Sequence, residues 1–271
     1  MIYRDIQGRR VPALGFGTWE LSPPAARDAV RDALAIGYRH IDTAQAYDNE
    51  EGVGRGIADA AVPREEIFLT TKVRWERLSY GEVIASAEAS LRRLGTPYVD
   101  LLLVHWPSTD VPFDEPLAAM QALRAHGRVR HLGVSNFTPS QLGRALDLAP
   151  VFCLQVEYHP YLSQRDLLAI AREHDLLFTA YCPIARGEVM ADETLQAIGA
   201  RYGKTPAQVT LRWLLQQKNV AAIPKAGSAG HRRENFAVFD FELSDDDMRA
   251  IHALDREARI IDPAHAPQWE R

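Results

Sequence analysis

Four polar residues with useful chemistry lie at or just beyond the ends of short apolar runs in this sequence. They are Asp42, Tyr47, Lys72 and His105. If the runs are neighbouring parallel strands, the four side chains meet at one edge, because ligands bind at the carboxyl ends of strands in parallel α/β proteins. A carboxylate, a phenol, an ammonium and an imidazole together would form a proton-donating site.

Each of the four residues also has an ordinary structural explanation. A single tyrosine after a strand is usually a wall residue, an Asp–Lys pair is usually a surface ion pair, and a histidine at a strand end is usually just hydrogen-bonded. The functional interpretation depends on three different strands ending in residues of one mechanism.

Composition limits the class of protein. The chain has 271 residues, 46% of them hydrophobic, and a net charge of −5, which predicts a sizeable core and neither nucleic acid nor an anionic membrane as partner. No run approaches the roughly 20 apolar residues of a membrane span, and the start lacks the apolar core of a signal peptide, so we expect a cytoplasmic protein. Cys153 and Cys182 lack CxxC spacing and are predicted to be packed thiols.

Short apolar runs alternate with helical patterns at intervals of roughly 30 residues, the size of a βα unit. No linker interrupts this alternation, so the sequence predicts one α/β domain over residues 1–271, a closed (β/α)₈ TIM barrel. The eight predicted strands are Ala13–Gly17, Arg39–Asp42, Ile67–Lys72, Val99–His105, His131–Ser135, Phe152–Glu157, Leu177–Tyr181 and Val220–Pro224.

Local signals mark several helix ends. Thr138–Gln141 and Thr205–Gln208 have the pattern of a capping box with proline at the first helical position, and Ser163–Asp166 has the same spacing. The glycines expected to end helices are Gly37, Gly95 and Gly127.

Segments outside the eight units have separate predictions. Residues 3–12 indicate a β-hairpin that plugs the amino-terminal mouth of the barrel, with Gln7 and Gly8 in its turn. Residues 191–217 contain two helical patterns, one more than the barrel needs, and Ser244 begins another helix. The aperiodic segment 262–271 is either a loop over the site or a frayed end.

Seven motifs occur in the order seen in aldo-keto reductases, and the chain is similar to the short bacterial members related to 2,5-diketogluconate reductase. The motifs are Gly15-Phe-Gly-Thr-Trp19, His40-Ile-Asp-Thr-Ala44 with Tyr47, Thr71-Lys72, His105-Trp-Pro107, Gly133-Val-Ser-Asn-Phe137, Gln155-Val-Glu157 and Ile223-Pro-Lys225. The resemblance covers nearly the whole chain. It implies an NAD(P)H-dependent reductase acting on a small carbonyl compound, often as a monomer.

Physical chemistry gives the four polar residues the same roles as the resemblance does. A carbonyl group that accepts hydride at carbon develops negative charge on oxygen and needs a proton donor there. Tyr47 can donate, and a neighbouring Lys72 cation is expected to lower its pKa from the usual value of about 10. Asp42 would keep Lys72 charged, and His105 would orient the carbonyl.

The cofactor is predicted from the resemblance, because the chain lacks a strand-loop-helix GxGxxG and a P-loop. Gly52–Gly56 lies within a helical segment and is expected to serve helix packing. The resemblance implies that Ser135, Asn136 and Gln155 bind the carboxamide and that Tyr181 lies under the nicotinamide ring. The other positions implied to line the cofactor are Gly17, Thr18, Trp19, Asp42, Cys182, Pro183, Ile184, Ile223, Pro224, Lys225, Ala226, Gly227, Ser228, His231, Glu234 and Asn235.

The adenosine end departs from the family pattern. Ala226 stands where a serine is usual, and His231 stands where an arginine usually grips the 2′-phosphate. A neutral imidazole lacks the fixed charge and fork of a guanidinium, so we expect NADPH as cofactor with NADH also accepted. Arg232 or Arg233 is a candidate to compensate.

The substrate pocket is predicted from Trp19, Tyr47, His105 and Trp106, with Trp75 as a further candidate wall. The loops after the fourth and seventh barrel strands are short, which favours an open pocket for small aldehydes, α-dicarbonyls or keto sugars.

Two other classes of function compete with the reductase. One is a cofactor-binding regulatory barrel without turnover, which the four intact polar positions argue against. The other is a metal-dependent barrel hydrolase, which needs clustered ligands, whereas the histidines are scattered singly, so no metal is predicted.

Overall fold

The structure, a computed structural model, describes residues 1–108 and 110–270 and contains a closed barrel of parallel strands. The described part has an antiparallel hairpin and eight barrel strands. The hairpin is β1 (Tyr3–Ile6) and β2 (Arg9–Pro12), and the barrel strands are β3 (Phe16–Gly17), β4 (His40–Asp42), β5 (Phe68–Val73), β6 (Val99–Val104), β7 (Val129–Ser135), β8 (Val151–Glu157), β9 (Leu177–Tyr181) and β10 (Val220–Ala222). From β3 to β10, each strand pairs in parallel with the next. A parallel bridge between Leu14 and Ala222 closes the ring, which confirms the predicted (β/α)₈ barrel.

Ten α-helices lie in the described part of the chain. They are α1 (Pro23–Ile36), α2 (Glu50–Ala58), α3 (Tyr80–Leu94), α4 (Asp114–Ala125), α5 (Pro139–Leu148), α6 (Arg165–Glu173), α7 (Glu193–Tyr202), α8 (Pro206–Gln216), α9 (Ala229–Phe236) and α10 (Asp245–His252). The extra helix before α8 and the helix that begins after Ser244 are both present, as predicted. No helix in residues 1–108 or 110–270 has the length and apolarity to cross a membrane.

Two of the three predicted capping boxes form. Thr138 with Gln141, and Thr205 with Gln208, make both reciprocal hydrogen bonds of the motif. The Ser163 prediction is wrong. Helix α6 begins two residues later, and the Ser163 backbone N–H donates to Asp255 Oδ1 at 2.9 Å, so a distant carboxylate replaces the local cap.

The three glycines end helices as predicted. Gly37, Gly95 and Gly127 have φ of +125°, +62° and +70°, a region that side chains with a Cβ rarely adopt.

The N-terminal hairpin closes the amino-terminal mouth of the barrel, as predicted. Ile6 and Val11 are fully buried and pack into the barrel interior, in a cluster that includes Phe68 and Phe152. Arg4 Nε donates to the carbonyl of Val220 at 2.8 Å, at the amino end of β10. The opposite, carboxyl end of the barrel stays open.

The glycines of α2 allow close helix packing. A Cβ on Gly52 would lie 2.1 Å from the carbonyl oxygen of Pro23 in α1, and one on Gly54 would lie 2.4 Å from that of Leu94 in α3. The glycine-rich stretch is therefore a packing surface, as predicted.

Candidate active site

A buried ion pair lies at the carboxyl end of the barrel. Lys72 in β5 and Asp42 at the end of β4 are joined by 2.5 Å between Nζ and Oδ1, and their side chains are 0% and 2% exposed. Lys72 Nζ also donates to the carbonyl of Thr43 at 3.0 Å, and Asp42 Oδ2 accepts from Gln155 Nε2 at 2.9 Å. Such a pair is stable in a dry interior only when its remaining hydrogen-bonding capacity is used, as it is here.

Tyr47 and His105 complete the group of four predicted residues. The single-turn helix Gln45–Tyr47 follows β4 and places Tyr47 Oη 3.3 Å from Lys72 Nζ. The rings of Tyr47 and His105 meet edge to face, with centroids 5.7 Å apart. The structure therefore brings together the four side chains that the sequence selected, although 63 positions separate the first from the last.

Burial changes the expected electrostatics of Tyr47. Burial raises the pKa of the phenol above its usual value, and the Lys72 cation opposes that rise only in part. The expectation of a lowered pKa is therefore wrong, because the desolvation of the phenolate costs more than the Lys72 cation returns. For Lys72, burial works against the charge, but Asp42 and then Tyr47 outweigh it and raise the pKa.

His105 is a neutral imidazole at ordinary pH. Burial, helped by the Lys72 cation, holds its pKa well below the usual value of 6.5. Its Nδ1 is buried without a hydrogen-bond partner among the described residues. If the single proton of the neutral ring is on Nε2, only the lone pair of Nδ1 is left without a partner. The His105 carbonyl accepts from Asn136 Nδ2 at 2.9 Å, which fixes the backbone at the end of β6.

A cavity of about 630 Å³ opens over these residues. The residues that were predicted for the site and that line this cavity are Gly17, Thr18, Trp19, Asp42, Tyr47, Trp75, His105, Trp106, Ser135, Asn136, Gln155, Tyr181, Cys182, Pro183, Ile184, Ile223 and Lys225. Lys72 lies beneath this surface. The predicted positions that do not line the cavity are Pro224, Ala226, Gly227, Ser228, His231, Glu234 and Asn235.

Three of the four residues predicted to hold the nicotinamide, Ser135, Asn136 and Tyr181, are joined by side-chain hydrogen bonds, while the Gln155 side chain bonds to Asp42. Asn136 has a left-handed backbone, with φ of +64°, and its Nδ2 also donates to Ser135 Oγ at 3.1 Å. Tyr181 Oη donates to Asn136 Oδ1 at 2.7 Å, which fixes the tyrosine ring while part of it remains exposed. Polar groups and a fixed aromatic face line one wall, an arrangement that fits a nicotinamide ring and its carboxamide.

Gly17 is needed where the first loop meets the chain after β10. A Cβ at this position would lie 2.7 Å from the carbonyl oxygen of Ile223 and close to the backbone of Lys225. The glycine lets two cavity-lining segments, both predicted to contact cofactor, approach each other directly.

At the predicted adenosine end, the Arg232 guanidinium is already hydrogen-bonded within the protein. Its Nε donates to Asp32 Oδ2 at 2.6 Å, and its Nη1 donates to the carbonyls of Ala226 and Gly227 at 3.1 and 3.0 Å. It is 6% exposed, so Arg232 is not free to replace the usual arginine, and Arg233 stays the candidate. His231 is exposed in the first turn of α9.

The neighbouring residues of α9 differ in their surroundings. Ser228 caps the helix by accepting from the His231 N–H at 3.1 Å, and Arg233 is exposed. Glu234 accepts from Thr205 Oγ1 at 2.8 Å, while Asn235 is buried.

The C-terminal segment covers part of the cavity. We call residues 260–270 the C-terminal wall, because Ile261, Pro263 and His265 line the cavity. His265 stacks on Trp75 with ring centroids 3.8 Å apart and meets Trp106 edge to face at 5.2 Å. The pocket is therefore more enclosed than its short loops predicted.

Sequence reasoning missed several lining residues. They are Glu20, Ala46, Arg186, Gly187 and Ile261. Pro263 and His265 belong to segment 262–271, for which a loop over the site was one of the two predicted alternatives, and that alternative is confirmed. Trp19, 38% exposed, has the Arg186 guanidinium 4.9 Å above its ring, a contact between two distant loops. The only signal in the sequence for the C-terminal wall was a pair of prolines with histidine and tryptophan in an aperiodic tail.

The two cysteines are free thiols, as predicted. Burial raises the pKa of Cys153 to about 12 and that of Cys182 to about 11. Among residues 1–108 and 110–270, no cluster of three or more histidine, cysteine or acidic side chains is arranged to hold a metal ion.

Comparison with known proteins identifies the family. The model of the aldo/keto reductase family matches residues 13–256. The chain belongs to this family. Methylglyoxal reductase DkgB of Escherichia coli O157:H7 is 38% identical over 96% of this chain and 99% of its own length. A Trypanosoma cruzi relative named 9,11-endoperoxide prostaglandin H2 reductase is 40% identical over 93% of this chain and 90% of its own.

Solved structures agree with the family. A protein named as a candidate 2,5-diketo-D-gluconic acid reductase B has 44% sequence identity and a TM-score of 0.98, and the match covers 100% of this chain and 98% of that one. A Bombyx mori aldo-keto reductase in complex with NADP has 32% identity and a TM-score of 0.89, with 96% and 95% coverage. This aldo-keto reductase is therefore an oxidoreductase that uses NAD(P)H to reduce small carbonyl compounds, and the hydrolase alternative is excluded.

Proposed function

We propose that Tyr47 donates the proton in this carbonyl reduction and that Asp42, Lys72 and His105 support it. The proposal rests on one observation: Lys72 Nζ contacts both Asp42 and Tyr47 Oη beneath the cavity. A bound nicotinamide dinucleotide supplies the hydride to the carbonyl carbon.

Each residue then acts on the carbonyl oxygen or on Tyr47. Burial, which raises the pKa of Tyr47, favours the protonated phenol before the reaction. As negative charge develops on the carbonyl oxygen, Tyr47 Oη transfers its proton there, and the Lys72 cation stabilises the phenolate left behind. Asp42 keeps Lys72 charged and in place, and neutral His105 donates a hydrogen bond that orients the carbonyl group.

The same cavity wall holds the cofactor in this proposal. Ser135, Asn136 and Gln155 bind the carboxamide, and Tyr181 stacks under the ring. Because these groups already hydrogen-bond to one another or to Asp42, cofactor binding exchanges partners rather than ordering free side chains. The segment from Ile223 to Asn235 carries the adenosine end.

The substrate class follows from the remaining walls. Trp19, Trp75, Trp106 and His265 line the same cavity as Tyr47, and the surface of the cavity is mostly apolar. We infer small aldehydes, α-dicarbonyls or keto sugars as substrates. The names of the relatives, methylglyoxal reductase and diketogluconic acid reductase, support this range.

The proposal includes NADPH as main cofactor, with NADH also accepted. His231 supplies no fixed charge for a 2′-phosphate, and Arg232 is held by Asp32. A preference for NADPH above about a thousandfold, roughly 4 kcal/mol, would contradict this. His231→Arg is expected to raise the ratio of NADPH to NADH activity, measured by steady-state kinetics with both cofactors.

The deciding experiment measures NADPH and NADH oxidation with methylglyoxal. Tyr47→Phe is expected to lower kcat about 100- to 10,000-fold, because the phenol supplies the proton. Tyr80→Phe, which removes an exposed hydroxyl in α3, should behave like the native chain. Cofactor binding without turnover of any carbonyl, in native protein and variant alike, would favour the regulatory barrel.

We further propose that residues 1–271 act as one cytoplasmic, monomeric barrel domain. Size-exclusion chromatography tests the oligomeric state, and cell fractionation tests the location.

A further inference from the structure

Glu157 is a buried carboxylate that the proposed chemistry does not use. It is 0% exposed at the carboxyl end of β8, two residues beyond Gln155 and paired in register with Tyr181 of β9. Residues two apart on a strand point to the same side, so Glu157 follows Gln155 toward the open mouth of the barrel. A carboxylate in such a place is costly unless its oxygens are hydrogen-bonded.

Both oxygens of Glu157 are hydrogen-bonded, mainly by the C-terminal wall. Oε1 accepts from the backbone N–H of Ile260 at 2.8 Å and from His159 Nε2 at 2.9 Å. Oε2 accepts from the next backbone N–H, that of Ile261, at 2.9 Å. Residues 260 and 261 belong to no helix or strand, so this carboxylate supplies the partners that secondary structure would otherwise provide.

The position of this contact matters for the cavity. Ile261 lines the cavity directly beside its bonded N–H, and Pro263 and His265 follow it along the wall. Farther on, Glu270 bonds Thr138 Oγ1 and the Ser140 N–H at the start of α5. Glu157 is thus the hydrogen-bonding anchor at the start of the wall, beside the first residue that lines the cavity.

We propose that Glu157 is a positioning residue that holds the C-terminal wall against the substrate. Its carboxylate fixes two consecutive amides, and through them the side chains of Ile261, Pro263 and His265. The inference rests on the proposed function, because the wall is taken to bound the space in which the carbonyl substrate is reduced. Loss of the anchor should weaken substrate binding more than it slows the chemical step.

The first test is Glu157→Gln in the full chain. An amide keeps one acceptor oxygen but turns an NH₂ group toward a backbone N–H, so one of the two anchoring bonds is lost. We expect KM for methylglyoxal to rise about tenfold, because the hydrogen bond that is lost is one to a charged group, and such bonds are strong. We expect kcat to stay within about twofold of native, because the wall acts on substrate binding. Glu173→Gln, which removes an exposed carboxylate from α6, is the charge-matched control and should leave both constants unchanged.

A second readout does not depend on activity. Trypsin can cut after Arg259, and release of the peptide 260–271, followed by mass spectrometry, reports how often the wall detaches. Glu157→Gln should speed this release, and Glu173→Gln should not. An unchanged release rate together with an unchanged KM overturns the proposal.

A shortened chain ending at Arg259 completes the test. It should show a raised KM by itself, and Glu157→Gln should add nothing in that background, because the two changes remove the same contact. The proposal is overturned if Glu157→Gln has the same effect on KM in both backgrounds. It is also overturned if the shortened chain has the native KM, and this second test holds even if Glu157→Gln does not fold. If the native chain reduces no carbonyl while the trypsin difference persists, the proposed function fails and the anchor stands.

Discussion

The floor of the cavity and its C-terminal wall are built in opposite ways. The floor, formed by Asp42, Lys72 and Gln155, comes from three strands of the barrel, and its charged groups are almost completely buried. The wall is an aperiodic segment, fixed by two backbone amides on Glu157, by ring contacts of His265 and by Glu270 at its far end.

This difference indicates how the two regions divide the work. Because the floor is part of the sheet, it cannot move without disrupting the barrel, and it suits a proton transfer that tolerates little displacement. The wall depends on a few local contacts, so it can change with little effect on the fold and suits the selection of substrates.

The largest expected effect comes from removing one charge of the floor. Lys72→Met leaves Asp42 buried without its countercharge, so we expect the free energy of unfolding to fall by about 3 to 5 kcal/mol and reductase activity to vanish. Urea unfolding followed by circular dichroism measures the first. Replacing both partners, with Asp42→Leu added, should restore most of the stability but none of the activity. A loss below about 1 kcal/mol in the single variant would mean that the floor is not a dry site.

The buried histidines should make the barrel sensitive to acid. Burial lowers the pKa of His40 and His105, and burial with neighbouring arginines lowers that of His131 to about 4. The folded state therefore binds fewer protons than the unfolded state below pH 6.5, so stability is complete above that pH and falls as pH drops toward 4.

For His131, which is partly exposed, we expect this loss to be about 1 to 2 kcal/mol after solvent screening. Urea unfolding at pH 7.5, 6 and 5 measures it, and His131→Gln should show a shallower loss than the native chain. Parallel curves for the two proteins would rule out His131 as a source of the acid sensitivity.

Changes in the wall should affect substrate binding more than stability. His265→Ala removes the stack on Trp75, worth about 1 kcal/mol, so we expect KM to rise a few-fold and the free energy of unfolding to change by less than about 1 kcal/mol. His265→Phe keeps an aromatic ring and should retain most of the native KM. If the alanine variant instead lost as much stability as Lys72→Met, the contrast between floor and wall would be wrong.

The smallest effect is expected at the outer end of the wall. Glu270 is largely exposed, so Glu270→Gln should change stability by no more than about 0.5 kcal/mol and KM by less than about twofold. Thermal unfolding and steady-state kinetics check this. A rise in KM as large as that of Glu157→Gln would show that both anchors matter equally.

Features with a local signal were predictable from the sequence. The eight strands, the hairpin turn at Gln7 and Gly8, and the capping boxes at Thr138 and Thr205 each follow from periodicity or from residue types at fixed spacing. Ser163 shows where such signals fail, because a contact with Asp255, 92 residues away, replaced the local cap.

The arrangement of the floor was also contained in the sequence. Once the alternating pattern indicates a parallel barrel, the residues that end successive strands must meet at one mouth, and Asp42, Tyr47, Lys72 and His105 do so. The sequence therefore determined the fold and the grouping of these side chains, because both depend on local patterns and on one rule of barrel topology.

Only the tertiary structure decided the burial, the pKa and the hydrogen-bond partners of each group at this mouth. The pKa of Tyr47 rises because the desolvation of a phenolate depends on all the atoms around it, not on Lys72 alone. Arg232 is unavailable to a cofactor because it pairs with Asp32, 200 positions away. The C-terminal wall has a fixed place because Glu157 meets amides more than 100 residues later, and such distant partners have no local signal in the sequence.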